Sequence, residues 1–452
     1  MTLHIDNWSN ADLMARDNEH LIHSLHSSEG HLAGNAWVKG EGSCLIDGDG
    51  KRYLDGMSGL WNVTLGHGRR ELIDAASRQM SELAYCSGYS GNANLPATML
   101  AERLAALTYP SINRFFLTSG GGESTDTTIK FARAYWKAKG QSGKVKVISF
   151  TGGYHGTTLA AMCATGMPAY WPSFEPRMPG FVHIPLHHGH RAVGRSEDDV
   201  ARLAAEDLER AILEQGPDSV ALFIAEPVLG GGAYVAPDGY FQRVREICNR
   251  YDVLFAADEV ITGFGRTGQM FALNRWNVEP DIVQFAKGIT SGYFPLGGVG
   301  VSDAIADALV DFENKPFMHC YTYSGHPVGC AVALATIEVL ERENLPERAG
   351  RLGARLKARL EAGLAESPHV GEIRGLGLIL AIDLVEDRNS KAAFDPSKLV
   401  GAKVLKACRE RGLVTRGRGD TIYLGPPFTI AEAELDQLAD IVIEAVETIH
   451  HS

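Results

Sequence analysis

VLFAADEVITGFGRTGQMFALNRWNVEPDIVQFAKG, residues 253–288, decides how this chain is read. It opens on the apolar run VLFAA, which ends in Asp258 and Glu259, and closes on IVQFA, which ends in Lys287. Apolar runs this short, bounded by polar and glycine-rich connections, predict buried parallel strands. In open α/β sheets ligands sit beyond the carboxyl ends of strands. An acid at one strand end and a lysine at the next therefore mark a candidate site. Asp258 can hold a cation there, and Lys287 can supply a reactive amine.

Working outward, the same texture continues upstream. INRFFLTS leads through GGGES into the helical TDTTIKFARAYWKAK, and KVKVISF, SVALFIAEP and two amphipathic helical runs (DVARLAAEDLERAILEQ, FQRVREICNRY) follow. Alternating strand and helix predicts an α/β fold with a mostly parallel, doubly wound sheet. Before it, AWVKGEGSCLIDGDGKRYLDG, with its Asp47-Gly48-Asp49-Gly50 turn, reads as a small antiparallel meander. Helical periodicity covers 69–85 and 95–108, and the Pro- and His-rich stretch 167–195 reads as loop. His326-Pro327 opens a helix to about Glu343; a leucine-striped helix, a strand-like run (VGEIRGLGLILAIDLV), another helix, TIYLGPP and a terminal helix follow. The expected division is a segment and meander at 1–70, a large domain at 71–325 and a small C-terminal domain at 326–452, with the N-terminal segment expected to join the C-terminal part in one smaller α+β domain.

Composition bounds the function. At 452 residues, with 45% hydrophobic and 22% charged residues, the chain is of enzyme size and ordinary globular make-up. A net charge of −12 argues against nucleic acid as partner. No apolar run approaches the roughly 20 residues of a membrane helix, and the N-terminus lacks the pattern of a signal peptide. Seven scattered cysteines without a CxxC pair suit a reducing, cytoplasmic setting. The histidines at 20, 23, 26 and 31 lack cysteine or acidic partners at ligand spacing, so no metal is expected.

Two loops add chemistry to the Asp258–Lys287 pair. Gly120-Gly121-Gly122 stand between a strand and a helix, where free N–H groups bind phosphate. GGYHG, at 152–156, places Tyr154 at a strand end to stack on a flat ligand. A phosphate cup, a stacking ring, a carboxylate for a ring nitrogen and a nucleophilic lysine together suit pyridoxal 5′-phosphate, PLP. GFGRTG, 263–268, matches the dinucleotide pattern G-x-G-x-x-G, but a poor helix follows it and no acid ends a strand about 20 residues on. A nicotinamide oxidoreductase rests on that motif alone.

The ordered motifs DGMSGLWNVTLGHG, GGGESTDTTIKFAR, GGYHG, EPVLGGGA, LFAADEVITGFGRTG, DIVQFAKGITSGYFPLGG and TYSGHPVGCAVALA resemble the class III (omega) PLP-dependent aminotransferases of fold type I. The resemblance implies that Lys287 carries the cofactor and that Asp258 partners its ring nitrogen. It sets Val260 on the ring face opposite Tyr154, gives Gly121 and Gly122 phosphate contacts, and puts Glu226 at the cofactor's border. Thr322 would reach the phosphate of a neighbouring subunit, implying a homodimer or tetramer with shared sites. Trp61 and the loop 85–91 resemble pocket walls of members that pass amino groups from omega-amino acids, amines or taurine to pyruvate. Arg416 matches the arginine that grips a substrate carboxylate; the residues alone leave Arg418 as its rival. The alternatives within the family are a 2-oxoglutarate-using transaminase of the 4-aminobutyrate or ornithine type and an aminomutase. One departure stands out. The family commonly has S-G-S-E or S-G-T-E where this chain has Gly120-Gly121-Gly122-Glu123, which implies looser phosphate binding.

Overall fold

The computed structural model describes residues 8–190, 194–310 and 316–451. The N-terminal meander is β1 (Trp37–Glu41), β2 (Cys44–Asp47) and β3 (Arg52–Asp55), paired antiparallel in sequence order. The central strands follow: β4 (Arg114–Thr118), β5 (Lys146–Phe150), β6 (Phe181–Ile184) and β7 (Val220–Ala225). A short hairpin, β8 (Val228–Leu229) and β9 (Tyr234–Val235), precedes β10 (Leu254–Asp258), β11 (Ile282–Phe285) and β12 (Gly297–Val301).

The main sheet has seven strands in the order β4-β12-β11-β10-β7-β5-β6. Its strands sort their side chains by parity, as a pleated sheet covered on both faces must. Leu222, Ile224, Leu254, Ala256 and Ile282 pack with Ile129, Phe131 and Trp136 of the helix Gly121–Ala138 on one face. Phe223, Ala225, Phe255, Ala257, Val283 and Phe285 join the larger core on the other, against Phe241 of the helix Tyr240–Arg250. Both helices carry the apolar stripe that the sequence spacing predicts.

The pairing is parallel except at β12, which runs antiparallel to both β11 and β4. Sequence reasoning does not find β12, because GGVGV is rich in glycine, which is depleted in strands. The glycines are there for space: a Cβ on Gly298 would stand 2.5 Å from the Phe285 ring and one on Gly300 2.6 Å from Ile112. Nor is 167–195 all loop, since β6 forms the sheet edge within it.

The C-terminal part holds β13 (Val370–Leu376), β14 (Ile379–Leu384), β15 (Leu413–Val414), β16 (Arg416–Arg418) and β17 (Thr421–Leu424). The single strand-like run is in fact the antiparallel pair β13–β14, turned at Gly377, whose φ is 55°. Only glycine fits there, since a Cβ would lie 2.4 Å from the Arg266 carbonyl oxygen. β15 pairs parallel with β3, so the N-terminal meander and the C-terminal part share one sheet.

Candidate active site

The strands β5, β7, β10 and β11 are mutually parallel, so their carboxyl ends share one edge of the sheet. Asp258 ends β10, Glu226 directly follows β7, Tyr154 follows β5, and Lys287 lies two residues beyond β11. Lys287 has a φ of 47°, a left-handed conformation costly for any residue with a Cβ. Its ammonium stands 5.6 Å from the centre of the Trp61 ring. Trp61, itself left-handed at φ 53°, is buried and ends the kinked turn 58–61.

Burial lowers the Lys287 amine from its ordinary value to about 8; Asp258 and Glu226 pull it back up, while Arg266 and Arg416 push it further down. A lysine so placed is partly neutral near neutral pH, as a nucleophile must be. Asp258 is held from two sides. Its Oδ2 lies 2.7 Å from Nδ1 of His155, and its Oδ1 accepts the Val260 N–H at 3.1 Å. Burial works against the His155 imidazolium, but the hydrogen bond and charge of Asp258 outweigh it and raise its pKa. His155 is in turn fixed through its backbone: its N–H donates to Thr165 and its carbonyl accepts from Thr125.

Burial pushes the Glu226 carboxyl up to about 7, with the Asp258 charge adding to the rise and His155 opposing it. Its two oxygens accept the N–H groups of Tyr154 at 2.9 Å and Gly230 at 2.8 Å, so it pins the Tyr154 loop to the strand edge.

Residues 27–446 match the family described as Aminotransferase class-III. The chain belongs to the class III aminotransferases. It is a PLP-dependent transaminase. It is 41% identical over 412 residues to the putrescine–pyruvate aminotransferase of Pseudomonas aeruginosa, covering 91% of this chain and 90% of that one. It is 36% identical to the diaminobutyrate–2-oxoglutarate transaminase of Halomonas elongata, covering 97% and 96%. An (S)-enantioselective omega-transaminase from Thermomicrobium roseum superposes with a TM-score of 0.94 at 45% identity, covering 98% of this chain and 99% of that one.

In this aminotransferase GFGRTG is not a dinucleotide loop. Gly265 (φ 105°) and Gly268 (φ 100°) turn the chain so that Arg266 is fully buried. Its guanidinium donates to the carbonyls of Gly425 (3.0 Å) and Pro426 (2.7 Å) and to Ser58 Oγ (3.2 Å). Burial lowers its pKa to about 9. Arg266 thus joins the segment after Asp258 to the Trp61 turn and to residues 425–426.

The two arginines that the sequence leaves as rivals lie on the same strand, β16, and both are exposed. Arg416 acts electrostatically on Lys287 and Tyr154. Arg418 acts on Tyr234, and both arginines act on Tyr423. Among the described residues the Arg416 side chain has no ion pair or hydrogen bond, whereas Arg266 is spent on backbone carbonyls.

Gly121 and Gly122 open the helix Gly121–Ala138, whose N-terminus no side chain caps. A Cβ on Gly121 would stand 3.0 Å from Val260 Cγ1, which sets Val260 beside the glycine turn. Thr322 is not brought to this pocket. It is exposed, and its carbonyl accepts the Tyr85 hydroxyl at 3.0 Å. Sequence reasoning passes over His155 and Arg266. The first was legible as the neighbour of Tyr154 in GGYHG; the second sits inside a motif that suggests another ligand.

Proposed function

We propose that this aminotransferase moves an amino group from an omega-amino acid, amine, diamine or taurine to pyruvate, using PLP held between Lys287 and Asp258. The residues fit that cofactor. The uncapped start of an 18-residue helix offers free N–H groups and a positive dipole end to a phosphate. The Asp258 carboxylate, oriented by His155 and Val260, suits a protonated ring nitrogen, and the desolvated Lys287 suits an aldehyde carbon. Tyr154 and Val260 would flank the ring.

When bound, PLP supplies a carbonyl that captures amines and a conjugated ring that takes up the electron pair left on the donor carbon. Lys287 Nζ takes the proton from the donor carbon as general base and returns a proton as general acid. Asp258 keeps the ring nitrogen charged, and the Trp61 ring covers the Lys287 side of the pocket. Arg416 pairs with the keto-acid carboxylate, bidentately where its planar fork allows.

Arg416 carries the choice of acceptor. It is the guanidinium at the site left without a partner among the described residues, and one cation matches one carboxylate at a time. Pyruvate has one carboxylate; 2-oxoglutarate has two. The putrescine–pyruvate relative supports the same reading, and the diaminobutyrate–2-oxoglutarate relative makes the dicarboxylate the rival worth testing. A panel of β-alanine, taurine, putrescine and an aryl amine against both acceptors decides it, read as alanine or glutamate formed. Alanine is expected to form faster. Arg416→Ala should raise the KM for pyruvate about 10–100-fold, since a charge-assisted hydrogen bond is worth about 1.5–3 kcal/mol. Glutamate formation at an equal or greater rate would reassign the acceptor.

A homodimer with shared sites is part of this reading. Ile73, Met80, Leu83, Tyr89, Leu95 and Met99 expose apolar surface in and around the helices Arg70–Glu82 and Leu95–Leu107, as a subunit interface would. Thr322, exposed beside Tyr85, would then serve the partner's phosphate rather than its own.

A further inference from the structure

The N-terminal segment contains a cluster that transamination does not use. Asp17 belongs to the helix Asn10–His20, His31 to the short helix Ser28–Leu32, and His23 to the connection between them. His31 Nε2 lies 2.6 Å from Asp17 Oδ2 and is hydrogen bonded to it. His23 Nε2 lies 2.5 Å from the same oxygen. Although that nitrogen is buried, its approach lacks the geometry of a hydrogen bond. The two imidazoles stack with centroids 3.5 Å apart and planes 16° from parallel.

Protons alone satisfy this arrangement poorly. One carboxylate oxygen faces two ring nitrogens and hydrogen bonds to one, so the other is desolvated without a hydrogen bond, a costly state for a polar atom. A divalent ion answers all three groups together. Neutral imidazole nitrogens and a carboxylate oxygen are the donor set of Zn²⁺ and its first-row neighbours. The three ligand atoms all lie within 4.8 Å of one another. Bonds of about 2.0–2.2 Å would need modest side-chain shifts, with the stacked rings splaying about a common centre.

The segment also has a use for such a link. Met14 is the one buried residue of the first helix, and the second helix has none. Leu21, Ile22, Leu25 and Leu32 are exposed. With so little apolar burial, residues 9–33 depend on polar ties, such as Asn10 Oδ1 to the Ala36 N–H and Arg409 to the Ala33 carbonyl. We propose that Asp17, His23 and His31 form a divalent transition-metal site, taking Zn²⁺ or an ion of like preference with a fourth position open to water, which staples the two N-terminal helices. The sequence reading sets these histidines aside for want of an acidic partner; Asp17 is that partner, fourteen residues before His31.

Tag-free holoenzyme, stripped of metal by a chelator and dialysed, is titrated with Zn²⁺ by calorimetry. His450 and His451 remain in every variant, so any binding there stays a constant background. The proposal expects one added Zn²⁺ per chain with a Kd of about 1 μM or tighter. Affinity should fall at least about tenfold in both His23→Ala and His31→Ala, and stay unchanged in the neighbouring His20→Ala and His26→Ala. Amide hydrogen exchange over residues 9–32 should slow on adding Zn²⁺ to the wild type and not respond in His23→Ala. Retained transaminase activity in His23→Ala would show that the variant folds. Absence of binding, or binding and protection that survive both His23→Ala and His31→Ala, would overturn the site.

Discussion

Lys287 carries two features that a surface lysine lacks: a left-handed backbone and an amine lowered to about 8 by burial. Both concern the cofactor-free protein, where the amine must be neutral to capture an aldehyde. The rate of PLP capture by cofactor-free enzyme, followed by absorbance, should therefore rise with pH through a midpoint near 8 rather than near the ordinary 10.5. A midpoint above 10 would show that burial does not depress this amine. The same shift has a consequence for stability. Between about 8 and 10.5 the unfolded chain binds the proton that the folded chain has released, so cofactor-free protein gains stability as pH rises through that window. At this scale the sequence was highly legible. Asp258 ends a parallel strand, Glu226, Tyr154 and Lys287 follow others, and so all four meet at one edge. His155 stands in view in GGYHG and is passed over; what the sequence does not carry is its partner, since only the fold brings Asp258 to 2.7 Å.

On the proposed reading, the start of the helix Gly121–Ala138 is the element that would hold the cofactor phosphate. Gly120, with φ of 176°, is extended and needs no glycine, and a Cβ there meets nothing within 4 Å. At Gly122 a Cβ would make ordinary contact with Thr158, 3.4 Å away. Serine therefore fits at Gly122 without strain, and its hydroxyl would add a charge-assisted hydrogen bond of about 1.5–3 kcal/mol to a phosphate. Gly122→Ser should retain PLP on dialysis about tenfold more tightly than wild type. Equal retention would mean that the backbone N–H groups already saturate the phosphate. Gly121 is different, since Val260 Cγ1 lies 3.0 Å from the position its Cβ would take. Elements with a clear period, such as β10 and the helix Pro327–Arg342, could be read from pattern alone. β12 could not, because its glycines answer to the bulk of Phe285 and Ile112 across the sheet, which is tertiary information.

On the scale of the whole molecule, the meander at the N-terminus and the strands near the C-terminus join through β3 and β15. Arg266 ties that region to the segment after Asp258 by way of residues 425–426. No local signal in the chain announces either long-range link. A dimer with shared sites makes a further demand on Thr322. Thr322→Ala should loosen PLP by about tenfold, the worth of one charge-assisted hydrogen bond, while sedimentation still shows a dimer. A monomer with full activity, or a dimer whose PLP affinity is untouched by the change, would place Thr322 outside the site.

The central claim is that Lys287 is the group through which this aminotransferase moves both the amine and the proton. Its direct test is single-turnover and steady-state alanine formation from pyruvate and a competent amine, compared between the wild type and Lys287→Ala with PLP supplied in excess. Proton transfer by a positioned base is worth about 10²–10⁴ in rate, so turnover in Lys287→Ala should fall by at least that range even though the cofactor is present. Turnover within a few-fold of wild type would contradict the account.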